Sequence, residues 1–298
     1  MTFEPKIQED AALNYAKLSY DIGNPYQSVP EVLAGFLEKY PASPFKKEIQ
    51  ELQIDSYITS KNYTEALVLL EKNKSPENRA AYQKVTFYRG MEVFTDGKYQ
   101  EALALFRKSI AEPRDPRITA RATYWQGETQ YVLDQFSDAL ISYKQFLGYS
   151  EAATTPEFKN VNYNIAYAYF KQKDYDKAAK SFGEYVASSF AKEDKLRLND
   201  AYLRLGDSQF VSAKYWPAME AYNKAIEMNG IDADYALFQK AISYGFVQRN
   251  EKKIEDLTNF IARFPKSKYA DDALYELGNT YVTQKPVSYT HLTLPTKA

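Results

Sequence analysis

Groups able to move protons, attack carbonyls or hold metals are scarce in this chain of 298 residues. It has no Cys and a single His, His291. Thiol nucleophiles, thiolate metal sites and the usual imidazole acid–base pair are therefore missing, and carboxylate, Ser, Lys or Tyr chemistry is what remains. Three patterns carry part of a reactive spacing. Gly90–Lys98 has two glycines before a lysine, as a phosphate loop does. Six residues separate those glycines, and neither Ser nor Thr follows Lys98, so the loop is not expected. Ser189-Phe-Ala-Lys192 has the Ser-x-x-Lys spacing of serine acyl enzymes, but no Ser-Asp-Asn or Lys-Thr-Gly accompanies it. Arg114, Arg117 and Arg121 could grip an anion at a helix start or simply balance acidic neighbours. The remaining acids alternate with Lys, as in Glu251–Asp256, which is the pattern of a solvated helix face. No cofactor, metal or catalytic activity is expected.

The composition narrows the class further. Lys+Arg 38 against Asp+Glu 39 leaves a net charge of −1, with no chain-wide footprint for nucleic acid. No apolar run approaches the ~18 residues that would cross a bilayer, so direct membrane insertion is not expected either. At 45% hydrophobic and 26% charged residues the chain reads as globular. The excess is aromatic: 27 Tyr and 17 Phe need places in the fold.

Those places follow from an internal repeat. Gly127, Phe136, Ala139 and Tyr143 form a frame that returns as Gly90, Tyr99, Ala102, Phe106 and as Gly206, Tyr215, Ala218, Tyr222. Ala166, Tyr175, Ala178, Phe182 is a further copy with Ala in the glycine column. Tyr63, Ala66, Leu70 keeps the second half, and degenerate copies fit at Val29/Leu33 and Lys253/Leu257. The alanine column thus runs 29, 66, 102, 139, 178, 218, 253, in steps of 35 to 40 residues. Each copy holds two stripes of helical period separated by about three residues, which predicts antiparallel helix hairpins. The small residues belong where paired helices cross, and the aromatics in the wedge between hairpins. Ser43-Pro44, Ser75-Pro76, Asp115-Pro116 and Thr155-Pro156 are expected helix starts, each an N-cap oxygen with Pro at the first helical position. Longer connectors are expected near Gly148–Pro156 and Ala187–Lys195, with no linker that divides the array.

The small/small/aromatic columns, with Pro41 and Pro265 closing their units, resemble the tetratricopeptide repeat (TPR) family. The resemblance covers residues 6–285 and implies an all-α fold: a right-handed superhelical α-solenoid of about seven hairpins plus the first helix of an eighth, within a domain 1–285. Lys253 in the alanine column, and Gln53–Ile54 where Leu–Gly belong, depart from the pattern. Tyr40-Pro-Ala-Ser43 and Phe264-Pro-Lys-Ser267-Lys-Tyr269 are similar to bacterial envelope repeats of the outer-membrane-assembly and Tol–Pal type. A periplasmic or outer-membrane-associated address is the resulting expectation, with the cytoplasm as the alternative. The terminal run Val287-Ser-Tyr-Thr-His-Leu-Thr-Leu-Pro-Thr296 is similar to a translated sequencing adapter, so 286–298 is read as a non-native tail on a fragment.

The concave side of such an array is lined by the first helix of each hairpin. That places Phe87, Met91 and Phe94, then Arg121, Tyr124, Glu128 and Tyr131, on the groove. Tyr163, Asn164, Tyr167 and Phe170 follow, then Leu203, Asp207 and Phe210, then Phe238 and Ile242, with Lys84 flanking; the other place open to these rings is the core between neighbouring hairpins. The candidate partner-binding residues are Tyr124, Glu128, Tyr163, Asn164, Tyr167, Arg121, Phe87, Met91 and Asp207. Rings with sparse polar groups suit an extended peptide or protein segment. The carboxylate clamp of chaperone-binding members is not expected, because Tyr124 and Glu128 stand where Lys and Asn would. Only Asn164 matches that clamp. The leading reading is a non-catalytic scaffold for a protein or peptide partner, part of a larger envelope protein. A cytosolic adaptor and a regulatory array of a larger enzyme are the rivals.

Overall fold

The computed structural model describes residues 4–72, 75–230 and 232–284. The tail at 286–298 and His291 lie outside the described residues. Within them the chain forms fifteen α-helices and no strand. Four hairpins come first: α1 (Pro5–Ile22) with α2 (Val29–Lys39), α3 (Lys46–Thr59) with α4 (Tyr63–Lys72), α5 (Arg79–Thr95) with α6 (Tyr99–Ala111), and α7 (Pro116–Val132) with α8 (Phe136–Leu147). Three follow: α9 (Val161–Lys171) with α10 (Tyr175–Ala187), α11 (Lys195–Val211) with α12 (Tyr215–Glu227), and α13 (Ala233–Phe246) with α14 (Asn250–Arg263). The last helix, α15 (Ala270–Gln284), packs on α14. The fold is an all-α helical repeat.

Two compact units divide at the Phe158–Lys159 bond. The repeat spacing alone marked no division. It falls in the longest connector, residues 148–160, where two short 3-10 turns replace regular helix. Each unit is described by itself below.

Within each hairpin, the packing follows from side-chain volume. A Cβ at Gly90 would lie 2.8 Å from the Phe106 ring, one at Gly127 2.8 Å from the Tyr143 ring, and one at Gly206 2.6 Å from the Tyr222 ring. The aromatic column therefore seats on the glycine column of its own hairpin, whereas the sequence had placed these rings between hairpins. Ala66, Ala102, Ala139, Ala178 and Ala218 are fully buried beside them. Lys253 keeps this geometry by a different route: its stem runs along Gly245 and its ammonium reaches Glu276 at 2.6 Å. Gln53 is buried too, donating to the Pro30 carbonyl at 3.3 Å.

Six of the seven hairpin turns share one conformation; the α1–α2 connection, residues 23–28, is longer and different. Lys61, Gly97, Asp134, Lys173, Ala213 and Gln248 all have positive φ, between 57° and 76°. At Ala213 its N–H donates to the Phe210 carbonyl and the Lys214 N–H to the Gln209 carbonyl, and the other five turns repeat this pair of bonds. That is the Schellman helix stop, in which a left-handed residue recovers two orphan carbonyls. Five of the six positions carry a side chain where glycine would relieve strain.

Only one of the four expected Pro helix starts is realised. Asp115 caps α7, its carboxylate accepting from the N–H groups of Arg117 (2.8 Å) and Ile118 (3.1 Å), with Pro116 in the first turn. At Ser43, Ser75 and Thr155 the helix begins later. Lys46, Asn78 and Phe158 donate instead to the carbonyls of Ser43, Ser75 and Thr155, closing turns with Pro at the second position. Proline's fixed φ suits both places, and the residues that follow decide between them. The two Pro-containing segments at Tyr40 and Phe264 adopt the same local connector geometry. In both, the aromatic N–H closes the helix and the serine Oγ accepts from the backbone two residues on, at 3.2 Å in each case.

Candidate functional site

In the first unit the candidate groove side chains are taken up by packing. Phe87 is fully buried, and the Arg121 guanidinium lies over its ring at 4.9 Å. Arg121 Nε donates to Glu157 Oε1 at 2.9 Å, and Trp125 Nε1 donates to the same oxygen at 3.0 Å. Glu157 is itself buried in the turn that Pro156 opens. Tyr124 is 5% exposed, enclosed by Tyr143, Phe146 and Trp125 at ring-centre distances of 5.3 to 5.8 Å. Glu128 accepts from the Tyr143 hydroxyl at 2.6 Å, and Met91 packs half-buried against the Phe87 and Phe106 cluster. The expectation that Phe87 and Tyr124 face an open groove is therefore corrected. Neighbouring elements close over both rings. Arg114, Arg117 and Arg121 do not form an anion grip together, since Arg121 is paired with Glu157 and Arg117 Nη2 donates to the Thr154 carbonyl at 3.2 Å.

The rings expected further along the first helices have a local task. Phe94 meets Tyr99, Tyr131 meets Phe136, Phe170 meets Tyr175 and Phe210 meets Tyr215, all edge-to-face at 5.3 to 5.5 Å. Each pair spans one Schellman turn and clamps its hairpin. Leu203 is buried against Tyr222 and Ala218. Much of the aromatic excess is thus structural.

In the second unit the candidates converge. The hydroxyls of Tyr163 and Tyr167, both on α9, donate to Asp200 Oδ2 on α11 at 2.8 and 2.5 Å. Arg204, one turn on, bridges Asp200 at 3.4 Å and Asp207 at 2.7 Å. Asp207 Oδ1 accepts from Tyr222 on α12 at 2.9 Å and from Tyr235 on α13 at 2.7 Å. Gln239 Nε2 then donates to the Tyr235 oxygen at 3.2 Å. One connected network therefore joins the first helices of three successive hairpins. Asp207 is buried within it, while Tyr163, Tyr167, Arg204 and Tyr235 are half-buried and reach the surface. Asn164 stands beside Tyr163 on α9, also half-buried. Arg197 lies over the Tyr163 ring at 5.4 Å and donates to Asn160 at 2.7 Å.

The electrostatics fix the protons. Burial, then the neighbouring Tyr167 and Asp200, pushes the Tyr163 phenol well above its ordinary value. Burial and the bond to Asp200 push Tyr167 up to about 12, against an opposing effect of Arg204. Tyr222 and Tyr235 are raised by burial and then by the charge of Asp207. All four phenols stay protonated donors and are poor nucleophiles near neutral pH. The arrangement can orient and recognise a ligand. Among the described residues no group of three His, Cys, Asp or Glu could hold a metal ion, and no helix is long and apolar enough to cross a membrane.

Asp200 and Arg204 escaped the sequence reading, which followed columns fixed to the small residues. A signal was there, because Asp200, Arg204 and Asp207 fall at i, i+4 and i+7 on one face of α11.

Comparison with known proteins agrees with this architecture. Residues 126–194 match a family model described as tetratricopeptide repeat. YrrB, described as a TPR protein with an unusual peptide-binding site, is 18% identical over 72% of this chain and 96% of its own, with a TM-score of 0.54. The apo form of RapI covers 92% of this chain and 82% of its own at 14% identity and a TM-score of 0.55. The C-terminal part of a TPR repeat-containing protein from Cytophaga hutchinsonii covers 88% of this chain and 98% of its own, at 20% identity and a TM-score of 0.50. At these identities the likeness is one of fold. No curated protein matches the sequence.

Proposed function

We propose that this chain is a non-catalytic binding module of the tetratricopeptide type. It holds an extended peptide or protein segment on the first-helix face of its second unit, against Tyr163, Tyr167, Arg204 and Tyr235. The observation that carries this reading is the continuous network through Asp200, Arg204 and Asp207, which fixes four phenols and a guanidinium before any ligand arrives. Pre-ordered aromatic and arginine side chains lose little entropy on binding, and they dominate many interfaces. YrrB supports the same use of the fold, by its description as a peptide binder. The Tyr40–Ser43 and Phe264–Tyr269 connectors support a bacterial envelope setting, periplasmic or on the outer membrane. Cell fractionation would test that address, with cytosolic recovery counting against it.

The binding test uses peptides selected from a random display library against the full chain. Tyr167→Ser should weaken a selected peptide about 30-fold, which corresponds to about 2 kcal/mol at a hot spot. Met91→Ala, in the first unit, should leave its affinity within about twofold. Equal binding by the Tyr167→Ser protein would refute the assignment.

A further inference from the structure

The connector between α10 and α11 is longer than the repeat requires. It has seven residues, 188–194, against four between α6 and α7. These residues are held in place. Ser188 closes α10 by donating its N–H and its hydroxyl to the Tyr185 carbonyl. Ala191, fully buried in the cluster of Phe182 and Tyr185, pins the short 3-10 turn Ser189–Glu193. Asp194 then caps α11, accepting from the Arg197 N–H at 3.0 Å. With Ala191 fixed in the core, Phe190 and Lys192 on either side of it are displayed outward, and Lys195 and Leu196 follow in the first turn of α11. Together with Lys159 and Asn160, just before α9, they line an open cleft of about 520 Å³. Every residue of its lining belongs to the second unit.

Charge and polarity specify the occupant. Four cationic side chains, Lys159, Lys192, Lys195 and Arg197, line the cleft with two acids, and both acids are engaged. Glu193 pairs with Lys159 at 3.2 Å, and Asp194 pairs with Arg197 at 3.2 Å besides capping its helix. Lys192 and Lys195 are exposed and have no carboxylate partner among the described residues. Leu196 and Phe190 are exposed beside them by 72% and 39%. Ammonium groups interleaved with apolar side chains complement an acidic residue set next to a large apolar one, whereas a bare phosphate would leave Leu196 and Phe190 unused. Arg197 joins this cleft to the aromatic wall. It lines the cleft, is held by Asn160 at 2.7 Å, and lies over the Tyr163 ring at 5.4 Å. We infer, on the reading that the α9, α11 and α13 wall receives an extended segment, that this segment carries an acidic residue beside a large apolar one. The pair enters the cleft, the acid between Lys192 and Lys195 and the apolar side chain against Leu196 and Phe190.

The test uses the tightest peptide that a random display library yields against the full chain, measured by fluorescence anisotropy. It should contain Asp or Glu next to Leu, Ile, Met or Phe, and selected peptides without that pair would overturn the proposal. Lys192→Glu together with Lys195→Glu should weaken the peptide about 10-fold. A peptide whose acid is replaced by Lys should show the reverse, binding the double variant about 10-fold better than the unaltered chain. Misfolding does not produce that reversal, and Glu in the first turn of α11 suits the helix dipole. Leu196→Ser, at a side chain already in water, should weaken the original peptide about fivefold. Tyr167→Ser separates the cleft from the wall. If it weakens the peptide and the double lysine variant does not, the cleft is overturned and the wall stands. If neither matters, the wall assignment fails and the cleft with it. Inorganic tripolyphosphate that competes as well as the unlabelled peptide at equal concentration would also overturn the proposal, since charge alone would then account for binding.

Discussion

Tyr124 on α7 and Tyr163 on α9 stand at the same place in the repeat, three residues before the small residue, and they meet different fates. Tyr124 is enclosed by Tyr143, Phe146 and Trp125, with only 5% of its surface exposed. Tyr163 keeps its ring half-open and passes its hydroxyl to Asp200. The register aims both side chains the same way; what the next element offers decides the outcome. After α8 the connector brings back Glu157, which draws Arg121 and Trp125 inward. The helix after α10 is α11, which brings a carboxylate, and the phenols stay where it can hold them. Repeat position gives direction, and neighbours give exposure.

The largest expected effect tests that contrast through stability. Tyr124→Ala should lower the unfolding free energy by about 3–5 kcal/mol, as truncation of a buried aromatic does. Tyr167→Phe removes one hydrogen bond from a carboxylate that retains Tyr163, and should cost about 1.5–3 kcal/mol at most. Urea unfolding of both proteins measures the difference. Similar losses would mean that the two walls are packed alike.

Overpacking separates stability from binding. Gly127→Ala and Gly206→Ala each push a Cβ into a ring, at 2.8 and 2.6 Å, and should each cost about 1–3 kcal/mol. Displacing Tyr222 also strains its bond to Asp207 at 2.9 Å. Gly206→Ala should therefore weaken a selected peptide several-fold, whereas Gly127→Ala should not. Calorimetry on the folded proteins reads both quantities.

The phenols predict an alkaline limit. Tyr167 is raised to about 12 in the folded chain and titrates near its ordinary ~10 when unfolded. Its contribution to stability is complete below pH ~10 and is lost as the pH rises towards about 12, because the unfolded chain then gives up the proton first. Asp200→Asn removes the charge that adds to burial. It should lower the midpoint at which Tyr163 and Tyr167 ionise, seen as earlier ultraviolet difference absorbance. An unchanged midpoint would place the whole effect in burial.

The smallest effect concerns what both units share. Ala213 holds a φ of 57° and Asp134 one of 58°. Glycine at either position should stabilise its hairpin by about 0.5–1 kcal/mol, after the added freedom of the unfolded chain is offset. Stabilisation in only one unit would show that the turns differ in strain.

The sequence carried the helix pairs plainly, because their pattern is local: Gly127 to Tyr143 is sixteen residues, within a single hairpin. It misled at Ser43, Ser75 and Thr155, where a proline turn and a proline helix start look alike in letters. It pointed to Tyr163, Tyr167 and Asp207 through the register. The burial of Tyr124 escaped because the covering Trp125–Glu157 contact joins residues 32 apart, and no periodicity announces such a partner. The Schellman turns were hidden too, since five of six have no glycine to mark them.

In the proposed function the α9, α11 and α13 wall receives the ligand. Fluorine NMR of the chain labelled with 3-fluorotyrosine tests it directly, each signal being assigned by Tyr→Phe substitution and a library-selected peptide being titrated in. The resonances of Tyr163, Tyr167 and Tyr235 should shift together and saturate with the peptide, while that of Tyr124 stays in place. Shifts at Tyr124, with Tyr163 and Tyr167 unmoved, would contradict the assignment and put the binding surface elsewhere.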